Sequence, residues 1–222
     1  MRFLITAGPT REPIDPVRYI SNRSSGKMGY AIAEAALAVG NDVTLISGPV
    51  TIEAPPGAKL ISVSTSDEMF EAVREHADNC NICVLCAAVA DYKPANVSSS
   101  KIKKHEAHVS LELILTRDIL DSLGHRHDRE FVLVGFAAET DHVEENAAKK
   151  LRAKNCDIIV ANDISGTNSG MDSDMNEVTI LFRDGKKKRI SRAPKTIIAR
   201  ELVKIFLSFT TKVFDKKNVM IN

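Results

Sequence analysis

The sequence predicts an α/β protein built on a doubly wound, mostly parallel sheet, with a β-hairpin near the C-terminus. Three observations predict it. Short β-rich runs alternate with helical periodicity through the first half, the pattern of parallel strands joined by crossover helices. The apolar runs at 82–90 and 131–136 read as strands covered on both faces. The tail places Asp184-Gly185 between two extended runs, a strong hairpin signal.

Each element follows from local chemistry. Arg2 to Thr6 reads as the first strand. After a long polar loop, Met28, Ile32, Ala35, Ala36 and Val39 form one apolar face at helical spacing, and Gly40-Asn41 stops the helix. Asp42 to Ser47 is the next strand. Thr65 with Glu68 reads as a capping box for a helix burying Met69, Phe70, Val73 and Ala77. Asn81 to Ala88 is the third strand. Residues 91–108, polar and carrying Pro94, Ser98-Ser99-Ser100 and Lys101-Ile102-Lys103-Lys104, read as a mobile loop with a short strand. Val109 to Leu115 is extended, Asp118 to Leu123 a short helix, and Phe131 to Phe136 a buried strand. A charged helix with Val143, Ala147 and Leu151 inward precedes the strand Asp157 to Ala161. The hairpin occupies about 177–190, and a closing helix with Pro194 near its start buries Ile197, Ile198, Leu202, Ile205 and Phe206. Without an internal repeat or a clean linker, residues 1–222 read as one domain.

The chain has 222 residues, 44% hydrophobic and 27% charged, which excludes disorder as the dominant state. Thirty Lys and Arg against 29 Asp and Glu give a net charge of +1, so nothing global calls for nucleic acid or an anionic membrane. Any anion must be held by a local site. The apolar runs are shorter than a membrane span, and Met1 leads into a strand-like segment, so a cytoplasmic protein is expected. Cys80, Cys83, Cys86 and Cys156 read as small buried hydrophobes. In a strand Cys83 points away from Cys80 and Cys86, so the C-x-x-C-x-x-C string cannot converge on one ion. The six histidines show no ligand spacing, and His125-Arg126-His127 reads as a solvated turn.

The chemistry concentrates where strands end. Thr6-Ala7-Gly8-Pro9-Thr10 and Ser24-Ser25-Gly26-Lys27-Met28-Gly29 bracket a loop that opens the first helix, where unpaired N–H groups and the dipole suit a phosphate. The dinucleotide pattern is missing, because strand two ends in Ser47-Gly48-Pro49 without the acid that a ribose needs. Gly26-Lys27-Met28 also lacks the spacing and the Ser or Thr of a Walker loop. Asn22 follows a proline-restricted stretch; its amide suits polarising a carbonyl or stabilising an oxyanion, and equally suits a cap or turn. After the third strand, Ala87-Ala88-Val89-Ala90-Asp91 offers small residues to a flat ring and a carboxylate to a base, a ribose or a metal-bound phosphate. Lys101, Lys103 and Lys104 form a positive segment able to close over a triphosphate or simply face solvent. Gly135 to Thr140 and Ala161-Asn162-Asp163 add further rim, and Lys150 and Lys154 share one helix face.

In this order, ITAGPTREPIDPVRYISNRSSGKMG, AAVADYKP, KIKK, GFAAET and ANDIS resemble phosphopantothenoylcysteine synthetase over nearly the whole chain. The resemblance implies a Rossmann-like fold and a ligase of coenzyme A biosynthesis. The carboxylate of 4'-phosphopantothenate attacks the α-phosphate of CTP, and the amine of L-cysteine then displaces CMP from the acyl-cytidylate. An active site of lysines, amides and Mg²⁺ suits that chemistry, with the metal ligands left open. With the motif loop starting so near Met1, the chain resembles the stand-alone ligase, carrying no flavin and served by a separate decarboxylase. Residue by residue, the resemblance implies that Asn22 orients the acyl carbonyl in the second step and that Lys101 neutralises phosphate charge in the first. It also implies a nucleotide site of Ala87, Ala88, Asp91, Lys101, Asp118, Ile119, Phe136, Lys150 and Lys154. The family commonly reads Asn-Pro-Asp-Ile where this chain has Thr116-Arg117-Asp118-Ile119. Arg18, Ser24, Ser25 and Gly26 are the candidates for the substrate phosphate. A homodimer is implied, with the hairpin contributing to association and the partner completing the site. The rival readings are an NAD(P)-binding oxidoreductase and a non-catalytic nucleotide-binding regulator.

Overall fold

The computed structural model describes residues 1–104, 109–139, 141–163 and 173–221. In chain order the elements are β1 (Arg2–Ala7), β2 (Arg11–Pro13), β3 (Tyr19–Ser21), α1 (Lys27–Ala38), β4 (Asp42–Ser47), β5 (Lys59–Ser62), α2 (Ser66–His76), β6 (Ile82–Leu85), β7 (Tyr92–Pro94) and β8 (Leu113–Leu115). They continue with α3 (Ile119–Gly124), β9 (Val132–Glu139), α4 (Val143–Ala153), β10 (Ile158–Asp163), β11 (Met175–Phe182), β12 (Lys187–Pro194) and α5 (Lys195–Ile221). Eight strands form one sheet in the order β12-β11-β10-β9-β6-β1-β4-β5, parallel from β10 to β5 and antiparallel from β10 through β12. This is the Rossmann-like, doubly wound α/β architecture that the sequence predicts.

Alternation along each strand splits the core into two layers. Phe3, Ile5, Val84, Val134 and Val160 face α1 and α5, while Leu4, Cys83, Leu133 and Ile159 face α2, α3 and α4. Burying both faces requires strands apolar at every position, which is why these segments read as continuous runs. The capping box of α2 forms as predicted, with the Thr65 side chain accepting from the Glu68 amide at 3.2 Å and Glu68 accepting from the Thr65 amide. Among the described residues, no helix is long and apolar enough to cross a membrane.

Several expectations change. The hairpin joins the main sheet, because β11 pairs antiparallel with β10 from Ile158 against Phe182 to Asn162 against Val178. The third strand is shorter than Asn81 to Ala88: the Thr6 hydroxyl accepts the Cys86 and Ala87 amides, both at 3.1 Å, and draws the chain out of the ladder. Cys80 lies outside the strand, after a turn at Ala77–Asn79, so alternation does not govern it and it packs in the same layer as Cys83 and Cys156. Cys86 packs on the opposite layer. The cysteines are free thiols, and no three potential ligands gather for a metal among the described residues. In α5 the buried stripe is Ile198, Ala199, Leu202, Val203 and Phe206, which leaves Ile197 44% exposed and Ile205 half-buried. Of the polar loop at 91–108, residues 105–108 lie outside the described residues; the short strand within it is β7, paired with β8.

Candidate active site

Strand order reverses at β1, whose neighbours β4 and β6 lead the chain in opposite directions. Open α/β sheets bind ligands in the crevice beyond the carboxyl ends at such a point. A cleft of about 750 Å³ lies there, lined by the carboxyl-end residues of β1, β6, β9 and β10, the loops after β3 and β6, the first turn of α1, the start of α3, Lys150 of α4 and the beginnings of β11 and α5.

Its α1 wall is built for an anion. Gly26 caps the helix in the left-handed region at φ 76°, where an L side chain is strained, and no side chain caps the first turn. Close approach fixes the next glycine: a Cβ on Gly29 would lie 2.6 Å from the Ala7 Cβ. The helix therefore starts directly over the end of β1, with Ser24, Ser25 and Gly26 on the cleft wall and no acidic residue in the first turn to compete for the dipole.

Asn22 hangs over the middle of the cleft. Its Nδ2 donates to the Ala88 carbonyl at 3.2 Å and the Val89 carbonyl at 2.9 Å, which fixes the amide orientation and pins the loop after β3 to the loop after β6. Both amide hydrogens are used in these contacts. Asn22 thus lines the cleft while its amide ties two loops distant in sequence, which is neither a helix cap nor a local turn.

On the other side, Ala87, Ala88, Asp91, Asp118, Ile119, Phe136 and Lys150 all line the cleft. Lys150 reaches across to donate to the Phe136 carbonyl at 3.0 Å. Asp118 caps α3, one oxygen accepting from the Asp121 amide at 2.8 Å and the other pairing with Lys154 at 3.0 Å. Burial opposes its ionisation, but the amide and the lysine outweigh that, and its carboxyl titrates below the ordinary value. Lys154 does not line the cleft; it is held by Asp118 and by Asp121 at 3.2 Å, so it acts by fixing the α3 turn. The Thr116-Arg117 departure also has a structural account. Thr116 ties the turn to the Asp91 loop, its amide donating to the Asp91 carbonyl at 2.9 Å and its hydroxyl to the Ala90 carbonyl at 2.6 Å. Arg117 stacks on the Phe70 ring at 4.0 Å and pairs with Glu71 at 2.6 Å.

Besides Lys154, two expected residues, Arg18 and Lys101, are absent from the lining of this cleft within the chain. Arg18 grips Asp15, whose buried carboxylate also accepts the Val17, Arg18 and Ile102 amides at 2.8, 2.9 and 3.1 Å. The Arg18 guanidinium, with those amides, outweighs burial and holds the Asp15 carboxyl far below the usual carboxylate range. Arg18 also donates to the Ile102 carbonyl at 2.9 Å, so the backbone next to Lys101 is tied to Arg18 and Asp15, and neither Lys101 nor Arg18 lines the cleft. Asp15 was not among the predicted site residues; a carboxylate between two prolines, in Pro13-Ile14-Asp15-Pro16, is the sequence signal for it. Also unanticipated are Asn176 and Lys195 on the cleft wall. Of the rim motifs, Thr140 in the fourth and Ile164-Ser165 in the fifth lie outside the described residues.

No histidine lines the cleft among the described residues, and its one cysteine is Cys86. Burial pushes that thiol up to about 12, with Lys195 opposing only weakly, so it stays protonated at neutral pH and is no nucleophile.

Residues 1–209 match the model of the DNA/pantothenate metabolism flavoprotein C-terminal domain. The chain belongs to this family. It is 49% identical over 201 residues to the Coenzyme A biosynthesis bifunctional protein CoaBC of Bacillus subtilis (strain 168), covering 90% of this chain and 49% of that protein. Against the protein of the same name from Escherichia coli (strain K12), identity is 47% over 190 residues, covering 84% and 47%. The chain thus spans about half the length of these curated relatives. A crystal structure of the C-terminal domain of CoaBC superposes with a TM-score of 0.80 at 44% identity, covering 96% of both chains. The DNA/pantothenate metabolism flavoprotein from Streptococcus pneumoniae shares the fold, with a TM-score of 0.81 at 23% identity over 94% of this chain and 99% of that one.

Proposed function

We propose that the cleft is the active site of a phosphopantothenate–cysteine ligase that uses CTP. The observation that carries this reading is the cleft's make-up: an open helix N-terminus at Ser24 to Gly26 on one side of the Asn22 amide and Lys150 on the other, with no histidine among the described lining residues to activate a hydroxyl nucleophile. A carboxylate is a poor acyl donor because it has no good leaving group, so its activation has to come from a co-substrate such as a nucleoside triphosphate. Membership of a family whose curated relatives are coenzyme A biosynthesis proteins supports the same substrates.

In the first step a carboxylate oxygen of 4'-phosphopantothenate bonds to the α-phosphorus of CTP and pyrophosphate leaves. The nucleotide takes the side of Asp118, Ile119, Phe136 and Lys150, and the substrate phosphate takes the α1 turn at Ser24 to Gly26. In the second step the cysteine amine bonds to the acyl carbon, CMP leaves with the former carboxylate oxygen, and the amine loses its proton. Asn22 exchanges its longer bond to Ala88 for the acyl oxygen while the Val89 bond keeps it placed, a donation that strengthens as charge builds on that oxygen. Mg²⁺ requires few protein carboxylates because triphosphate and water supply most of its shell. Asp91, exposed on the cleft wall, fits as its ligand, and the ion would neutralise triphosphate charge. Such an enzyme works in the cytoplasm.

The outlying Arg18 and Lys101 fit a two-fold dimer in which each subunit completes its partner's cleft. The surface around them exposes Val17, Tyr19, Tyr92, Val97, Leu113, Ile114 and Leu115, a run of large apolar side chains beyond what scattered exposure gives. The hairpin at 177–190 exposes none of comparable size, and its outer strand carries Lys187, Lys188 and Arg189, which discourage edge pairing. These exposed side chains support a reading in which the dimer surface is formed by β7, β8 and the β2–β3 hairpin.

A coupled pyrophosphate assay tests the function. Release should require CTP and 4'-phosphopantothenate, and turnover should also require cysteine. Hydride transfer to a nicotinamide, or CTP binding without turnover, would support a rival instead.

A further inference from the structure

The end of the cleft nearest α1 and α5 holds a group that the proposed mechanism leaves unused. Lys195 is only 7% exposed, although it carries a charge and stands in the first turn of α5. Both placements are unfavourable by themselves: burial penalises the ammonium, and a helix N-terminus repels a cation. It lines the cleft together with Lys27, Asn162 and Asn176, the last only 3% exposed. The acids of the cleft wall, Asp91 and Asp118, belong to the loop after β6 and the start of α3. Asp174 is engaged by Lys27 at 2.6 Å and acted on by Lys195, and it shares a neighbouring cavity with both lysines, Glu34 and Glu53. Two ammonium groups and the first turns of two helices, neither carrying an acidic side chain, therefore meet at this corner.

A second observation points to a ligand. Asn162 Oδ1 is buried and has no hydrogen-bond partner among the described residues, at a rim position that shares the cleft wall with Lys27, Asn176 and Lys195. An unpaired buried acceptor is costly, and the terminal torsion of an asparagine is soft, so a small turn toward a ligand donor relieves it. Cation beside acceptor matches a phosphate ester that carries a hydroxyl close to its phosphate.

We propose that Lys195, with Asn162, forms a phosphate-ester binding corner and is a further binding residue of this cleft. The proposal rests on the ligase reading for its choice of esters. Nucleoside triphosphate and phosphorylated acid both have the required chemistry, and the test separates them.

Wild type and Lys195→Met are titrated calorimetrically with three probes: CTP with Mg²⁺, 4'-phosphopantothenate and inorganic pyrophosphate. Losing a charge-assisted contact should weaken binding about tenfold to a hundredfold. Loss on CTP and pyrophosphate puts the corner on the nucleotide side, and loss on 4'-phosphopantothenate alone puts it on the acid side; either supports the proposal. Lys195→Arg should restore most of the loss, which a purely structural lysine would not require. Should Lys195→Met not fold, Lys195→Gln carries the same expectation. Affinities within twofold of wild type for all three probes, or an equal loss on both esters, would overturn the corner while leaving the ligase reading intact. Wild type binding pyrophosphate alone, lost in the variant, would support the corner and count against the ligase.

Discussion

Replacing Asn22 with Asp separates the two chemical steps. The wild-type amide gives one hydrogen to the Ala88 carbonyl at 3.2 Å and one to the Val89 carbonyl at 2.9 Å. A carboxylate in the same place has nothing to donate and faces two carbonyl oxygens, so it turns into the solvent to which position 22 is already open. Two hydrogen bonds at about 1 kcal/mol each set the loss of local stability, which a folded chain survives. Catalysis loses more. A preorganised donor to a developing oxyanion is worth about 10²–10³ in rate, and that donor acts only when the amine attacks. The α1 turn at Ser24 to Gly26 and the α3 side of the cleft are untouched, so nucleotidyl transfer proceeds. In rapid-quench experiments Asn22→Asp should release pyrophosphate in a burst close to one per site. CMP and amide should then form about a hundredfold or more slowly, with acyl-cytidylate accumulating. Amide formation at the wild-type rate, or equal slowing of both steps, would refute the reasoning.

Lys101→Gln should slow pyrophosphate release instead. Because Lys101 and Asn22 are proposed to meet across the two-fold axis, mixing Lys101→Gln with Asn22→Asp subunits should regenerate intact sites and partial activity; mixtures no more active than either parent would place both residues in one subunit's cleft. Leu115 is 70% exposed, and Leu115→Glu should halve the sedimenting mass at micromolar concentration, whereas an unchanged mass would move the interface elsewhere. Asp118 titrates below its ordinary 3.8, so its contribution is complete above about pH 4 and disappears as pH falls through the lowered folded value. Asp118→Asn keeps the cap acceptor but loses the half-exposed pair with Lys154. It should therefore cost about 0.5–1 kcal/mol in urea unfolding at pH 7 and less at pH 3; an equal cost at both would contradict the linkage.

Legibility in the sequence follows the range of the interactions. Thr65 and Glu68 meet within one helical turn, and β4 runs between the residues predicted for it, because caps and buried apolar runs are local. Strand β5 was not predicted: Lys59, Leu60 and Ser62 are exposed at the sheet edge, so burial imposes no pattern on them. The β2–β3 hairpin has three residues per strand, too few for alternation to register, whereas the short strand expected in 91–108 and the extended run ending at Leu115 appear as β7 and β8. Joining β11 to β10 is a long-range pairing that no local signal announces. The same holds for the cleft. Ser24 to Gly26, Ala87, Ala88 and Asp91 sit at strand ends and were readable as rim. Lys195 and Asn176 reach that rim only because β11 starts there and β12 ends there. A lysine opening a helix straight after Pro194 was the available hint, since it opposes the helix dipole. Arg18 was read as a phosphate contact and Lys101 took its role from the resemblance, but Asp15 ties Arg18 and the Ile102 backbone together, and neither Arg18 nor Lys101 lines the cleft of its own chain.

The central claim is that the acid is activated at the α-phosphate and its acyl group is then passed to an amine. It is tested most directly with 4'-phosphopantothenate carrying ¹⁸O in its carboxylate, followed by mass analysis of the products of complete turnover. The account predicts one ¹⁸O atom in CMP and none in pyrophosphate. Label in inorganic phosphate together with CDP, or CMP free of label, would contradict it.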